Sequence, residues 1–152
     1  PYAWNQQAYV LYLDQPVGTG LSYTTSKNYP KNDGDVNRHL LGFFDGLFSL
    51  HPHLESRQLF LTGESHAGHY IPSFAQAALS RNDKGGVPKF RLSGMALGNG
   101  WFDPRTQYDV SAFAHGSGLI SAAQVSTLGF FFSSSSAASS SSSCLPCVTP
   151  RY

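Results

Sequence analysis

The chain has 152 residues, enough for one domain with a real core. A formal net charge of +1 and a charged fraction of 12% give no electrostatic footprint for nucleic acid or an anionic membrane surface. An aromatic share of 14% suits a packed body, and no apolar run reaches the ~20 residues that span a bilayer.

Tyr9-Val10-Leu11-Tyr12-Leu13 is continuously apolar and β-prone and stops at Asp14-Gln15-Pro16, the pattern of a buried parallel strand feeding a loop. Gly18-Thr19-Gly20 follows without the third glycine, lysine or helix start of a phosphate loop, so it reads as a tight loop lining a cleft. After a polar turn region over Asn28 to Asp35, a helix is predicted with Asp35 as its N-cap. Val36, Leu40, Phe43, Leu47 and Leu50 fall at helical spacing, with Leu41, Phe44 and Phe48 widening a packing face. His51-Pro52-His53 ends this helix; two histidines one residue apart lack the further ligands of a tetrahedral set, and no metal site is predicted.

The stretch from Leu59 to Pro72 is the most informative. An apolar run short enough for a buried strand turns through Gly63, presents Ser65 and enters residues that favour a helix from Phe74 to Leu79. A serine among small residues at a strand-to-helix turn is the nucleophile elbow: the hydroxyl projects where a base can reach its proton. The backbone N–H of the next residue, His66, then points at a developing oxyanion. The generic elbow has glycine two places after the serine, where this chain has Ala67, with Gly68 following. Pro72 is expected to distort the first turns of the helix.

Phe90 to Leu97 is a third strand candidate, closed by Gly98-Asn99-Gly100, and Trp101 to Ser121 reads as loop and short helix. The alternation of strands and helices predicts an α/β fold with a parallel sheet covered on both faces. From about Thr127 the composition changes. A serine run from Ser133 to Ser143, broken only by Ala137 and Ala138, cannot build a core. Cys144-Leu145-Pro146-Cys147 has the spacing of a redox or metal half-site, but no strand precedes it and no second ligand pair accompanies it. The expected organisation is therefore a folded domain over 1–126 and a disordered tail over 127–152.

Gly63-Glu64-Ser65-His66-Ala67-Gly68-His69-Tyr70-Ile71-Pro72 closely resembles the active-serine block of the serine carboxypeptidases, a branch of the α/β-hydrolase fold. That family usually has tyrosine where this chain has His66. Pro1-Tyr2-Ala3-Trp4-Asn5 and Tyr9 to Tyr23 resemble the family segment ahead of the serine; Gly94 to Trp101 and Gln107 to Ser121 resemble the one behind it. The resemblance covers about residues 1 to 121 and implies a partial α/β-hydrolase fold, a parallel sheet flanked by helices and incomplete at both ends.

The resemblance also implies peptide or protein C-termini as substrate, cleaved through an acyl-enzyme on Ser65. His66 N–H serves the oxyanion, Glu64 helps hold the terminal carboxylate, and neither cofactor nor metal is required. It implies secretory placement, vacuolar, lysosomal or extracellular. The family's catalytic acid and histidine follow much later in the chain, so Asp103, Asp109 and His115 are rejected as triad members. His66 and His69 lie too close along the elbow to be the base. The second oxyanion donor belongs to a glycine-rich block expected ahead of Pro1, with a sheet strand between those ending at Asp14 and Thr62. This chain alone is therefore expected neither to fold stably nor to hydrolyse peptides. An acyltransferase of the same fold and a truncated, non-catalytic product are the alternatives.

Overall fold

The computed structural model describes residues 2–128. The chain divides into two compact units, Pro1–Phe102 and Asp103–Tyr152. The Ser-rich tail, Phe130 to Phe132 and the Cys144–Cys147 pair lie outside the described residues.

In the first unit, helix α1 (Asp33–Leu50) precedes strand β1 (Leu59–Glu64), helix α2 (Ala67–Asp83) and strand β2 (Leu92–Gly98). Short 3-10 turns occupy Trp4–Gln6 and Pro52–Leu54. The two strands pair in parallel, with Leu61 opposite Met95, Gly63 opposite Leu97 and Glu64 opposite Gly98. A parallel pair needs a crossover, and α2 supplies it. The α/β class expected from the alternation is thus present, built on a two-stranded sheet among the described residues.

The N-cap of α1 is Asn32 and not Asp35. Asn32 Oδ1 accepts the Asp35 N–H at 2.9 Å, and Asp35 Oδ2 accepts the Lys31 N–H at 3.0 Å. Two amides at the helix start are so satisfied by two side chains, a variant of the capping box shifted by one residue. Asp35 also pairs with Arg38 at 2.8 Å, one turn on. The buried face of α1 centres on Val36, Phe44 and Phe48; Leu50, expected on the packing stripe, is exposed. The helical period is legible in the sequence and Val36 lies on the predicted stripe, but the deepest burial falls on Phe44 and Phe48, which only widen that stripe, while Leu40, Phe43 and Leu47 pack at its side.

Phe44 is the hub of the core. Its ring stacks on Phe74 of α2 at 5.5 Å between centroids and meets Phe90 edge-on at 5.4 Å, with Phe48 at 5.7 Å. Ala78 and the partly buried Leu59 and Leu61 close the cluster. Phe90, read as part of a strand, lies two residues before β2 and is fixed there by Asn82, whose side-chain amide bonds both its N–H and its C=O. Helix α2 runs unbroken from Ala67 through Pro72, starting well before the Phe74 suggested by helix propensity.

The strand predicted over Tyr9–Leu13 is absent. The segment pairs with no strand among the described residues, and Tyr9, Leu11 and Tyr12 are 77%, 51% and 87% exposed. Its apolar pattern asks for burial between neighbours, yet it pairs with the open edge of neither β1 nor β2. Coverage of both sheet faces is likewise not met within this unit. In-register residues share a face, and Gly63 and Leu97 lie under α2; Phe60, on the opposite face beside Gly94, is 60% exposed.

The second unit, taken by itself, holds helices α3 (Pro104–Gln107) and α4 (Ser111–Gly116) and a helical stretch over 122–128. Ser121 and Gln124 form a capping box at its start: Gln124 Oε1 accepts the Ser121 N–H at 2.8 Å, and Ser121 Oγ accepts the Gln124 N–H at 3.4 Å.

The Lys31 N–H, and after it Arg38, holds the Asp35 carboxyl below its ordinary value of 3.8. Its contribution to stability is thus complete above that value and is lost as pH falls through the lowered one. A carboxyl titration followed by NMR should find an Asp35 midpoint below 3.8, moved upward in Arg38→Ala.

Candidate active site

Between the end of β1 and the start of α2 the chain has only Ser65 and His66 in which to reverse direction. Ser65 does so at φ +57°, in the left-handed region that costs an L-residue about 1–2 kcal/mol. Hydrogen bonds hold it there from both sides. Its N–H donates to Gly98 O at 2.9 Å, and its C=O accepts the Gly68 N–H at 3.0 Å and the Trp101 N–H at 2.8 Å. The turn after β2 therefore grips the serine backbone directly, and this turn contains a second left-handed non-glycine residue, Asn99 at φ +46°.

Two glycines make the approach possible. A Cβ on Gly63 would come within 2.5 Å of Ala67 Cβ, so the methyl that departs from the generic elbow sits where Gly63 leaves room. A Cβ on Gly68 would lie 2.5 Å from Trp101 N and 2.8 Å from Gly100 C, closing the space in which α2 meets the turn.

Ser65 is exposed and its hydroxyl makes no hydrogen bond among the described residues. The His66 N–H, first amide of the α2 N-terminus, likewise meets no acceptor among them. An amide at the positive end of a 17-residue helix is suited to an oxyanion beside Ser65. Glu64 ends β1 on the exposed side, opposite Gly98, and its carboxylate makes no ion pair or hydrogen bond among the described residues. Serine, amide and carboxylate thus share the C-terminal end of the parallel pair.

The two histidines of the elbow join an aromatic cluster. The His66 ring lies 5.1 Å from His69, 4.7 Å from Tyr70 and 5.4 Å from Trp101, and His69 meets Trp101 edge-on at 4.8 Å. Neither imidazole hydrogen-bonds the Ser65 hydroxyl among the described residues. His69 Nε2 is buried and without a partner among the described residues.

Residues set aside in the sequence have local duties. Asp14 Oδ2 accepts the Leu21 N–H at 2.9 Å, so the Gly18-Thr19-Gly20 loop closes on its own carboxylate where a phosphate loop would present free amides. His51 and His53 face each other at 6.0 Å, and no three His, Cys, Asp or Glu side chains among the described residues gather as metal ligands. In the second unit, Asp103 Oδ2 accepts the Thr106 hydroxyl at 2.7 Å and His115 Nδ1 lies 3.0 Å from Ile120 O. The Ser111 hydroxyl, and after it the Ser111 N–H, lowers the Asp109 carboxyl from its ordinary value. A hollow of about 300 Å³ lined by Glu55, Ser56, Lys89 and Arg91 lies among residues that precede β1 and β2, at the opposite end of the strands from Ser65.

The clamp residues Gly68, Asn99 and Trp101 were not singled out from the sequence as site residues. Gly98-Asn99-Gly100 was the available signal, since an asparagine between glycines after a strand marks left-handed backbone.

A left-handed serine between a parallel strand and a helix N-terminus is the elbow geometry of an α/β-hydrolase. The family model described as serine carboxypeptidase matches residues 1–149. A pheromone-processing carboxypeptidase KEX1 of Ajellomyces capsulatus is 39% identical over 127 residues, which are 82% of this chain and 20% of that protein. Serine carboxypeptidase-like 49 of Arabidopsis thaliana is 44% identical over 108 residues, 70% of this chain and 21% of the relative. The crystal structure of KEX1ΔP, a prohormone-processing carboxypeptidase from Saccharomyces cerevisiae, superposes with a TM-score of 0.62 at 35% identity, covering 72% of this chain and 25% of that one. The chain belongs to the serine carboxypeptidase family. It spans about a fifth of the length of these relatives.

The φ of Ser65 gives a stability test independent of chemistry. Ser65→Gly should be more stable than Ser65→Ala by about 1 kcal/mol, because only glycine occupies the left-handed region without a Cβ penalty. Paired urea titrations measure the difference; equal midpoints would mean the backbone is relaxed.

Proposed function

We propose that this chain supplies the nucleophile elbow of a serine-type carboxypeptidase that releases C-terminal amino acids through an acyl-enzyme on Ser65. The observation that carries the proposal is the left-handed, doubly anchored Ser65 at the mouth of α2, with the His66 N–H free of acceptors among the described residues. Attack by Ser65 Oγ, its proton passing to the general base, turns the scissile carbonyl into a tetrahedral adduct whose oxyanion the His66 N–H stabilises; collapse breaks the C–N bond, and the C-terminal amino acid leaves with that proton while its acyl partner stays as an ester on Ser65. Water then hydrolyses the ester. The general base and its acid come from outside the described residues, as does the second oxyanion donor.

Glu64 adjoins Ser65 at the end of β1, and it is exposed. We assign it to the substrate's terminal carboxylate. Two carboxyl groups in contact share a proton, so binding of a free C-terminus strengthens in acid. Peptide and protein C-termini are the substrates, and the proposed setting is the secretory pathway, in a vacuolar, lysosomal or extracellular compartment.

In the full-length protein, Ser65→Ala should abolish amino-acid release from an N-blocked dipeptide and prevent covalent labelling by a fluorophosphonate. Persistent turnover in that variant would exclude Ser65 as nucleophile. Glu64→Ala should raise KM for the free-acid dipeptide about tenfold while leaving an ester of the same acyl group unaffected. Equal losses on both substrates would remove Glu64 from carboxylate recognition. Supplying an alcohol with an activated ester separates acyl transfer from hydrolysis.

A further inference from the structure

The hydrogen bonds and close contacts around Ser65 involve a segment that carries no catalytic group of its own. Gly98 O receives the Ser65 N–H, and the Trp101 N–H donates to Ser65 O, so the four residues 98–101 span the serine backbone like a bracket. The bracket is itself bent through the left-handed φ of Asn99. It reaches Ser65 only because Gly68 lacks a side chain: an added Cβ would lie 2.5 Å from Trp101 N. Trp101 then lies against both elbow histidines, 5.4 Å from the His66 ring and 4.8 Å from that of His69.

Resting on the proposal that Ser65 is the nucleophile, we infer that Gly68 and Asn99 are positioning residues that set the direction of its hydroxyl. The bracket holds the serine in a conformation it would otherwise leave. A serine at positive φ relaxes toward ordinary backbone once its two anchors loosen, and relaxation swings both Oγ and the His66 N–H away from the reacting carbonyl. Neither Gly68 nor Asn99 needs to touch substrate. Gly68 acts by permitting approach, and Asn99 by tolerating a left-handed turn that most side chains resist. The side chain of Asn99 forms no hydrogen bond among the described residues, which leaves its backbone conformation as its contribution.

The inference separates backbone shape from side-chain chemistry, and three variants of the full-length protein test it beside Ser65→Ala. Turnover of an N-blocked dipeptide, the rate of fluorophosphonate labelling and the melting temperature are measured for each. Gly68→Ala and Asn99→Ala should lower kcat about 10²-fold with KM near the parent value, and slow labelling in parallel, because misplacement affects the attack rather than binding. Asn99→Gly should keep parental kcat, since glycine reaches the same φ freely. Gly68→Ala risks unfolding through its clash; Asn99→Ala adds no bulk and decides the matter in that case. Parental kcat in both alanine variants would overturn the inference, as would an Asn99→Gly loss equal to that of Asn99→Ala. If Ser65→Ala is inert and unlabelled while the alanine variants behave as the parent, the bracket alone is overturned. If Ser65→Ala still turns over, the nucleophile assignment fails and the positioning role with it.

Discussion

The Ser65 backbone cannot rest at φ +57° without its two anchors on the turn after β2. From this constraint the local sequence follows. The helix must begin within two residues of the strand, so Gly63 and Gly68 give up their side chains at the places where Ala67 and the 100–101 backbone press in. Strand β2 must lie beside β1 in parallel so that its end delivers Gly98 to the serine N–H. Helix α2 must in turn be held against the strand pair, and Phe74 and Ala78 do this by entering the aromatic core around Phe44. Phe44 and Ser65 are therefore linked through α2: the hydrophobic effect fixes the helix, and its first turn donates the Gly68 N–H to the same Ser65 carbonyl that the Trp101 N–H anchors.

Much of this was legible because local chemistry and global fold agree here. The strand at Leu59, the helix after Ser65, the strand near Leu92 and the aromatic face of α1 all arise from periodicity that a neighbouring element completes. Tyr9–Leu13 was misread for the opposite reason. An apolar β-prone run states a demand for burial and says nothing of which edge will satisfy it, and among the described residues none does. The N-cap was misplaced by three residues because Asn32 and Asp35 are both good caps. Which of the two caps the helix depends on where the chain enters, and here the Lys31 N–H occupies Asp35.

The bracket was not legible as a functional feature because its action is carried by backbone groups. Gly98 contributes a carbonyl, Trp101 an N–H, Gly68 an absence and Asn99 a dihedral angle. None of these belongs to the residue types that sequence reading searches for around a nucleophile. The elbow motif names the serine and its small neighbours, while the segment that holds the serine in place lies more than thirty residues downstream.

The same physics bears on the substitution at position 66. The oxyanion donor proposed at this position is the backbone amide, which does not depend on the identity of the side chain. What changes is the surface next to the serine. His66 packs on Tyr70 and Trp101, and Trp101 is also the residue whose N–H anchors Ser65. The imidazole therefore rests on the bracket as well as on the elbow. A side chain at this position can act on the serine by the way it packs against residue 101, without any bond to the hydroxyl. Backbone geometry and neighbouring side-chain identity thus meet at Trp101, the point where the strand pair, the helix and the elbow are joined.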